Sequence, residues 1–119
     1  MYKDWPAMAA NLTVAVKELR GGAPDTMKAF SAMAMAATQT KALDTKTKEL
    51  IALAISVATR CDACIAFHVE SARKHGATRD EVMETVAMAI YMGAGPSVMY
   101  AAQAVEAYDQ YEAKNVAAG

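Results

Sequence analysis

Apolar and polar residues along the chain recur at helical spacing, and no run alternates as a half-buried strand requires. Alanine and methionine abound where β-branched residues would mark strands. The pattern predicts an all-α fold of about six helices joined by short turns. The first covers 6–20, with Pro6 in its first turn and Gly21-Gly22 after its end. The second opens at Pro24 and runs to about Thr38 through small and flexible side chains that suit close packing. The third follows Asp44, a good N-cap, over about 45–59. Between 50 and 58 it is apolar almost all round, which predicts burial on every side, in a core or between subunits.

The fourth helix spans about 61–75 and stops before Gly76. At 100° per residue, Cys61, Cys64, Ile65, His68, Val69 and Ala72 share one face. Asp62, Glu70, Arg73 and Lys74 lie largely opposite, so the thiols and the imidazole are expected on the inward side. Thr78 and Glu81 form a capping box for a fifth helix that ends near Gly93 and buries Val82, Met83, Val86, Ala89 and Ile90. Gly95-Pro96 opens a sixth, which carries Met99, Tyr100, Val105, Tyr108 and Tyr111. Its apolar residues do not keep to one stripe, and Met88 sits on the polar face of the fifth helix. That surplus of apolar surface predicts a homo-oligomer. The tail 114–119 is expected to fray.

Length and composition narrow the setting. A chain of 119 residues suits a single domain, 1–119. It is 55% hydrophobic but 7% aromatic, so Ala, Met, Val, Leu and Ile must build the core. A net charge of −1 and the lack of a basic run argue against nucleic acid. The apolar run 50–58 is too short to span a bilayer, and the opening residues lack the basic-then-apolar order of a signal peptide. A cytoplasmic location is expected. There, two cysteines point to catalysis or metal binding rather than to a structural staple.

Both cysteines fall in the stretch 49–68, spaced Glu49-x11-Cys61-x2-Cys64-x3-His68. Residues three apart on a helix are neighbours, so Cys61 and Cys64 can close a disulfide within one turn. Free N–H groups and the helix dipole favour thiolate there. His68 lies one turn beyond Cys64 and can take its proton, directly or through a water. Glu49, from the preceding helix, can hold the imidazole, completing a nucleophile, base and orienting acid. The dipole favours Cys61 as nucleophile and the base favours Cys64. The base discriminates better between thiols a turn apart, so Cys64 is assigned the attack and Cys61 the resolving step.

These residues admit other readings. The cysteines could be small core residues. Glu49, Cys61, Cys64 and His68 could ligate a metal, although three ligands on one straight helix converge poorly. A c-type haem needs a histidine directly after the second cysteine, and residue 65 is isoleucine. His75, in a last turn, is read as structural, as are the nine methionines and the tyrosines.

The signature Glu49-x11-Cys61-x2-Cys64-x3-His68 resembles that of the alkylhydroperoxidase AhpD-like group within the carboxymuconolactone decarboxylase family. The resemblance covers about 43–92, including KTKELIALAIS and GATRDEVMETV. It implies an all-helical AhpD-like domain assembled as a homo-oligomer, with a hexamer preferred and a trimer next. It also implies thiol-dependent reduction of a hydroperoxide; with the Cys-x2-Cys pair, the expected activity is reduction of hydroperoxides or disulfides without a bound cofactor or metal. Electrons would come from an external dithiol, of lipoyl type in known cases, in support of a peroxiredoxin partner. By the same resemblance Cys64 reacts with peroxide, and Glu49 and His68 relay protons. The best-studied branch carries a further histidine where this chain has Ala63. Two alternatives from other classes stand beside this reading: a lyase of the decarboxylase branch, which does not depend on a cysteine pair, and a redox-responsive binding oligomer without turnover.

Overall fold

Caps decide where the helices begin. In a computed structural model, which describes residues 1–118, the Asp4 carboxylate accepts the Ala7 N–H at 3.1 Å and opens α1 (Trp5–Gly22). Pro24 opens α2 (Pro24–Thr38), which has no side-chain cap. Asp44 caps α3 (Thr45–Ala58), accepting from Thr47 at 2.8 Å. Cys61 sulfur caps α4 (Asp62–Lys74). Thr78 and Glu81 exchange hydrogen bonds of 3.1 and 2.9 Å at the start of α5 (Arg79–Ala118), the expected capping box. The fold is all-α, with no strand among the described residues.

The predicted boundary between a fifth and a sixth helix is present as a sharp kink within α5. The expected break between a fifth and a sixth helix is one residue wide, at Ala94 (φ 55°, ψ −139°), and helix continues on both sides within α5. Pro96 cannot continue the hydrogen-bond ladder backwards, so the chain must depart from helix just before it. Gly93 permits the close turn, because a Cβ there would lie 2.1 Å from Ser97 Oγ.

α3 is the central helix. It packs on α4 and α5, while α1 covers α4 and α5. The core joins Trp5 of α1, Leu53 and Val57 of α3, Ile65 and Val69 of α4, and Val82 of α5, all fully buried. Each buried aliphatic of this kind contributes about 1.5–3 kcal/mol. Tyr108 and Tyr111 are buried too, as packing residues, and Tyr108 Oη donates to the Ala77 carbonyl at 3.0 Å. Burial pushes the Tyr111 hydroxyl up to about 12.

Several facial expectations need correction. α3 buries Glu49, Leu53, Ser56 and Val57, but Ile51 and Ile55 are exposed in the single chain, so burial all round is not met within it. On α5, Met83 is exposed and Ile90 half-buried, while Val82, Val86 and Ala89 are buried as expected. On α4 the buried stripe is Ile65, Ala66, Val69 and Ala72. Cys61, Cys64 and His68 lie half-buried along its edge instead of at its centre. Arg73, expected opposite, is largely covered because it reaches Glu112 of α5 at 3.5 Å. The tail is helical through Ala118 rather than frayed, and Gly119 lies outside the described residues.

Candidate functional site

The turn between α3 and α4 builds the site. α3 closes with Thr59 as C-cap; the Cys61 N–H then donates to the Ser56 carbonyl at 3.0 Å and the Arg60 N–H to that of Val57 at 3.2 Å. This double closure requires a left-handed residue, and Arg60 supplies it at φ 58°. Cys61 is thereby the last residue of one helix cap and the first of the next. It is the N-cap of α4, one residue ahead of the helix in which the sequence pattern placed it.

Cys61 and Cys64 are joined by a disulfide across a Cα separation of 5.2 Å, within the range such bonds accept. Cys61 Sγ accepts the Cys64 N–H at 3.2 Å. The sulfur therefore sits where free N–H groups and the helix dipole favour negative charge.

Glu49 arrives from α3 as the spacing predicted. Its Oε2 lies 2.7 Å from His68 Nδ1. An ionised carboxylate can only accept, so Nδ1 carries the proton and donates it to this bond. When the ring is neutral, Nε2 is then its acceptor nitrogen. The Glu49 side chain is 7% exposed and that of His68 36%, so the pair has an anchored acidic end and an open imidazole end. With the cysteines bonded to each other, no three His, Cys, Asp or Glu side chains converge as a metal-ligand set among the described residues. His75 stands apart as the C-cap of α4, its Nδ1 2.8 Å from the Ser71 carbonyl.

Two neighbours of the dithiol turn were not apparent from sequence. Lys3 reaches Asp62, the residue after Cys61, and its Nζ also donates to Gln103 Oε1 at 2.8 Å. Asp62 and Ala63, the residues between the cysteines, line a groove of about 660 Å³ together with Met8, Asn11 and Leu12 of α1. A lysine 59 residues away from its partner leaves no local pattern to read.

This fold and site place the chain in a known class. Residues 24–107 match the carboxymuconolactone decarboxylase family, and the protein belongs to it. The matched segment extends beyond the 43–92 over which the signature was legible and takes in α2 and most of α5. The apo crystal structure of a family member from Legionella pneumophila is 47% identical, covers 90% of this chain and 96% of its own, and superposes with a TM-score of 0.88. A family protein from Thermotoga maritima, for which involvement in an antioxidative response has been suggested, is 29% identical over 76% of this chain and 93% of its own, with a TM-score of 0.71. An uncharacterised Haemophilus influenzae protein is 40% identical over 113 residues, covering 95% of this chain and all of its own.

Proposed function

We propose that the protein is a thiol-dependent peroxidase of the AhpD-like kind, cycling between the Cys61–Cys64 disulfide and its dithiol. The observation that carries this reading is the buried Glu49 carboxylate bonded to His68 one turn beyond Cys64, on a helix whose first turn is closed by a disulfide. The antioxidative role suggested for the Thermotoga maritima relative points the same way.

The cycle is written from this chain's residues. In the reduced protein His68 Nε2 takes the Cys64 proton, and Glu49 stabilises the imidazolium that forms. The Cys64 thiolate attacks the hydroperoxide; its S–O bond forms as the O–O bond breaks. The departing alkoxide takes the proton from His68 and leaves as an alcohol. Cys64 is now a sulfenic acid, oxidised by two electrons. The Cys61 sulfur displaces its oxygen as water and restores the disulfide. An external dithiol then exchanges with that disulfide, becoming oxidised itself. A lipoyl-type donor and a peroxiredoxin partner are the proposed company of this cycle.

The proposed working form is a homo-oligomer, a hexamer before a trimer. α2 supports this: it buries no residue within the chain and leaves Phe30, Met33 and Met35 more than half exposed. Light scattering at micromolar concentration should give several times the 12.6 kDa of one chain; a monomer refutes the assembly.

A peroxide-consumption assay with a panel of dithiol donors tests the activity. Wild type should turn over with at least one donor, and Cys64→Ser should not. Unchanged turnover in Cys64→Ser removes the mechanism. Turnover of a carboxylated lactone that survives loss of both cysteines would instead identify a lyase.

A further inference from the structure

Asp62 poses an electrostatic problem for a dithiol site. It is the first residue of α4 and lies between the two cysteines in sequence. A carboxylate there competes for the positive helix end and repels a thiolate forming within the same turn. The structure places one cation directly against it.

That cation is held, not merely nearby. Ahead of α1 the backbone N–H groups of Tyr2 and Lys3 both donate to the Glu106 carboxylate, the latter at 3.3 Å. Gln110 brackets the same segment, donating to the Lys3 carbonyl at 2.6 Å and accepting the Trp5 N–H at 2.8 Å. Buried Trp5 donates its indole N–H to Glu106 at 3.0 Å. The Lys3 side chain then runs to Asp62 and to Gln103, which is 9% exposed and whose amide is oriented by a 3.2 Å bond to the Met99 carbonyl. Lys74 and Glu70, by contrast, form an open i,i+4 pair at 3.4 Å with no such framework. The bond to Asp62 raises the Lys3 ammonium above the usual lysine range, so it stays charged wherever the thiols titrate.

We propose that Lys3 is a positioning residue for the dithiol: it neutralises Asp62 and so keeps thiolate formation at Cys61 and Cys64 within reach of neutral pH. The role rests on reading Cys61–Cys64 as the redox site. The other titratable and charged groups around this turn are Glu49 from α3, His68 on α4, Arg60 in the connecting turn and Asp4 in the same groove, with Glu106 of α5 holding the segment that carries Lys3. Among the described residues, the cation bonded to the carboxylate between the thiols is Lys3.

The test reads the thiols directly. Cys61→Ser and Cys64→Ser chains, reduced, are alkylated with iodoacetamide across pH, so each remaining thiol reports its own titration. Each is combined with Lys3→Met, Asp62→Asn or both, and with Lys3→Arg. Lys3→Met should move the midpoint upward by roughly half to one pH unit. Adding Asp62→Asn should return it close to the starting value, and Lys3→Arg should leave it in place. The proposal is overturned if Lys3→Met lowers thermal stability without moving either midpoint, or if its shift persists when Asp62 is neutral. Alkylation needs no peroxide. The expected shifts without turnover in any chain would uphold Lys3 and remove the peroxidase reading alone.

Discussion

The turns at the two ends of α4 can be set side by side. α3 and α4 terminate with the same pair of backbone hydrogen bonds: Cys61 to Ser56 and Arg60 to Val57 in one, Ala77 to Ala72 and Gly76 to Arg73 in the other. Both need a left-handed residue. After α4 it is Gly76 at φ 93°, the residue physics favours. After α3 it is Arg60, whose Cβ makes that conformation unfavourable by about 1 kcal/mol or more. The next helix start differs likewise. Thr78 and Glu81 form a full capping box, whereas Cys61 caps α4 with sulfur, a weak acceptor. The two histidines follow the same division: His75 bonds a backbone carbonyl, His68 a buried carboxylate. Local stability is optimised where the turn is only a turn and forgone where the dithiol sits.

Substitution can break the contrast at each level. The largest effect is expected from Glu49→Gln, which leaves His68 without its anionic partner; peroxide turnover should fall about 10²–10⁴-fold, as when a general base loses the carboxylate that orients it. His75→Gln, at the other end of the same helix, should keep kcat/KM within about twofold. Comparable losses from both would dissolve the distinction between the histidines. Next come the left-handed positions, measured by urea unfolding of the reduced protein. Gly76→Ala should lose about 1–2 kcal/mol, while Arg60→Gly should be neutral or gain up to about 1 kcal/mol. A clear loss from Arg60→Gly would mean that the guanidinium makes a stabilising contact outweighing its backbone. The smallest effect concerns the cap. Reduced Cys61→Ser should match or exceed reduced wild type by a few tenths of a kcal/mol, since hydroxyl oxygen caps better than sulfur, yet it should lose recycling through the disulfide.

Much of this was legible because the signals are local. Asp44, the Thr78/Glu81 pair and Gly76 marked helix ends by chemistry that acts within four residues. The Glu49, Cys61, Cys64 and His68 spacing carried across one turn, and Glu49 meets His68 as that spacing suggested. What stayed hidden acts at a distance or against propensity. Arg60 is not a turn residue, so its left-handed backbone, and with it the placement of Cys61 as a cap, had no marker. Lys3, Gln103 and Asp62 converge from three separate parts of the chain. Gly93-Ala94-Gly95-Pro96 reads as a helix boundary and is one, but nothing local marks that a single residue, Ala94, makes the whole break. Ile51 and Ile55 are as apolar as Leu53, and periodicity alone does not say which of them a single chain covers.

In the proposed cycle the Cys64 sulfur is oxidised by peroxide and the Cys61 sulfur resolves it. The most direct measurement treats reduced Cys61→Ser and Cys64→Ser with stoichiometric hydroperoxide, traps sulfenic acid with a dimedone-type reagent and locates the adduct by mass spectrometry. An adduct is expected on Cys64 in Cys61→Ser, and little or none in Cys64→Ser. An adduct confined to Cys61 in Cys64→Ser, or no adduct in either, would contradict it.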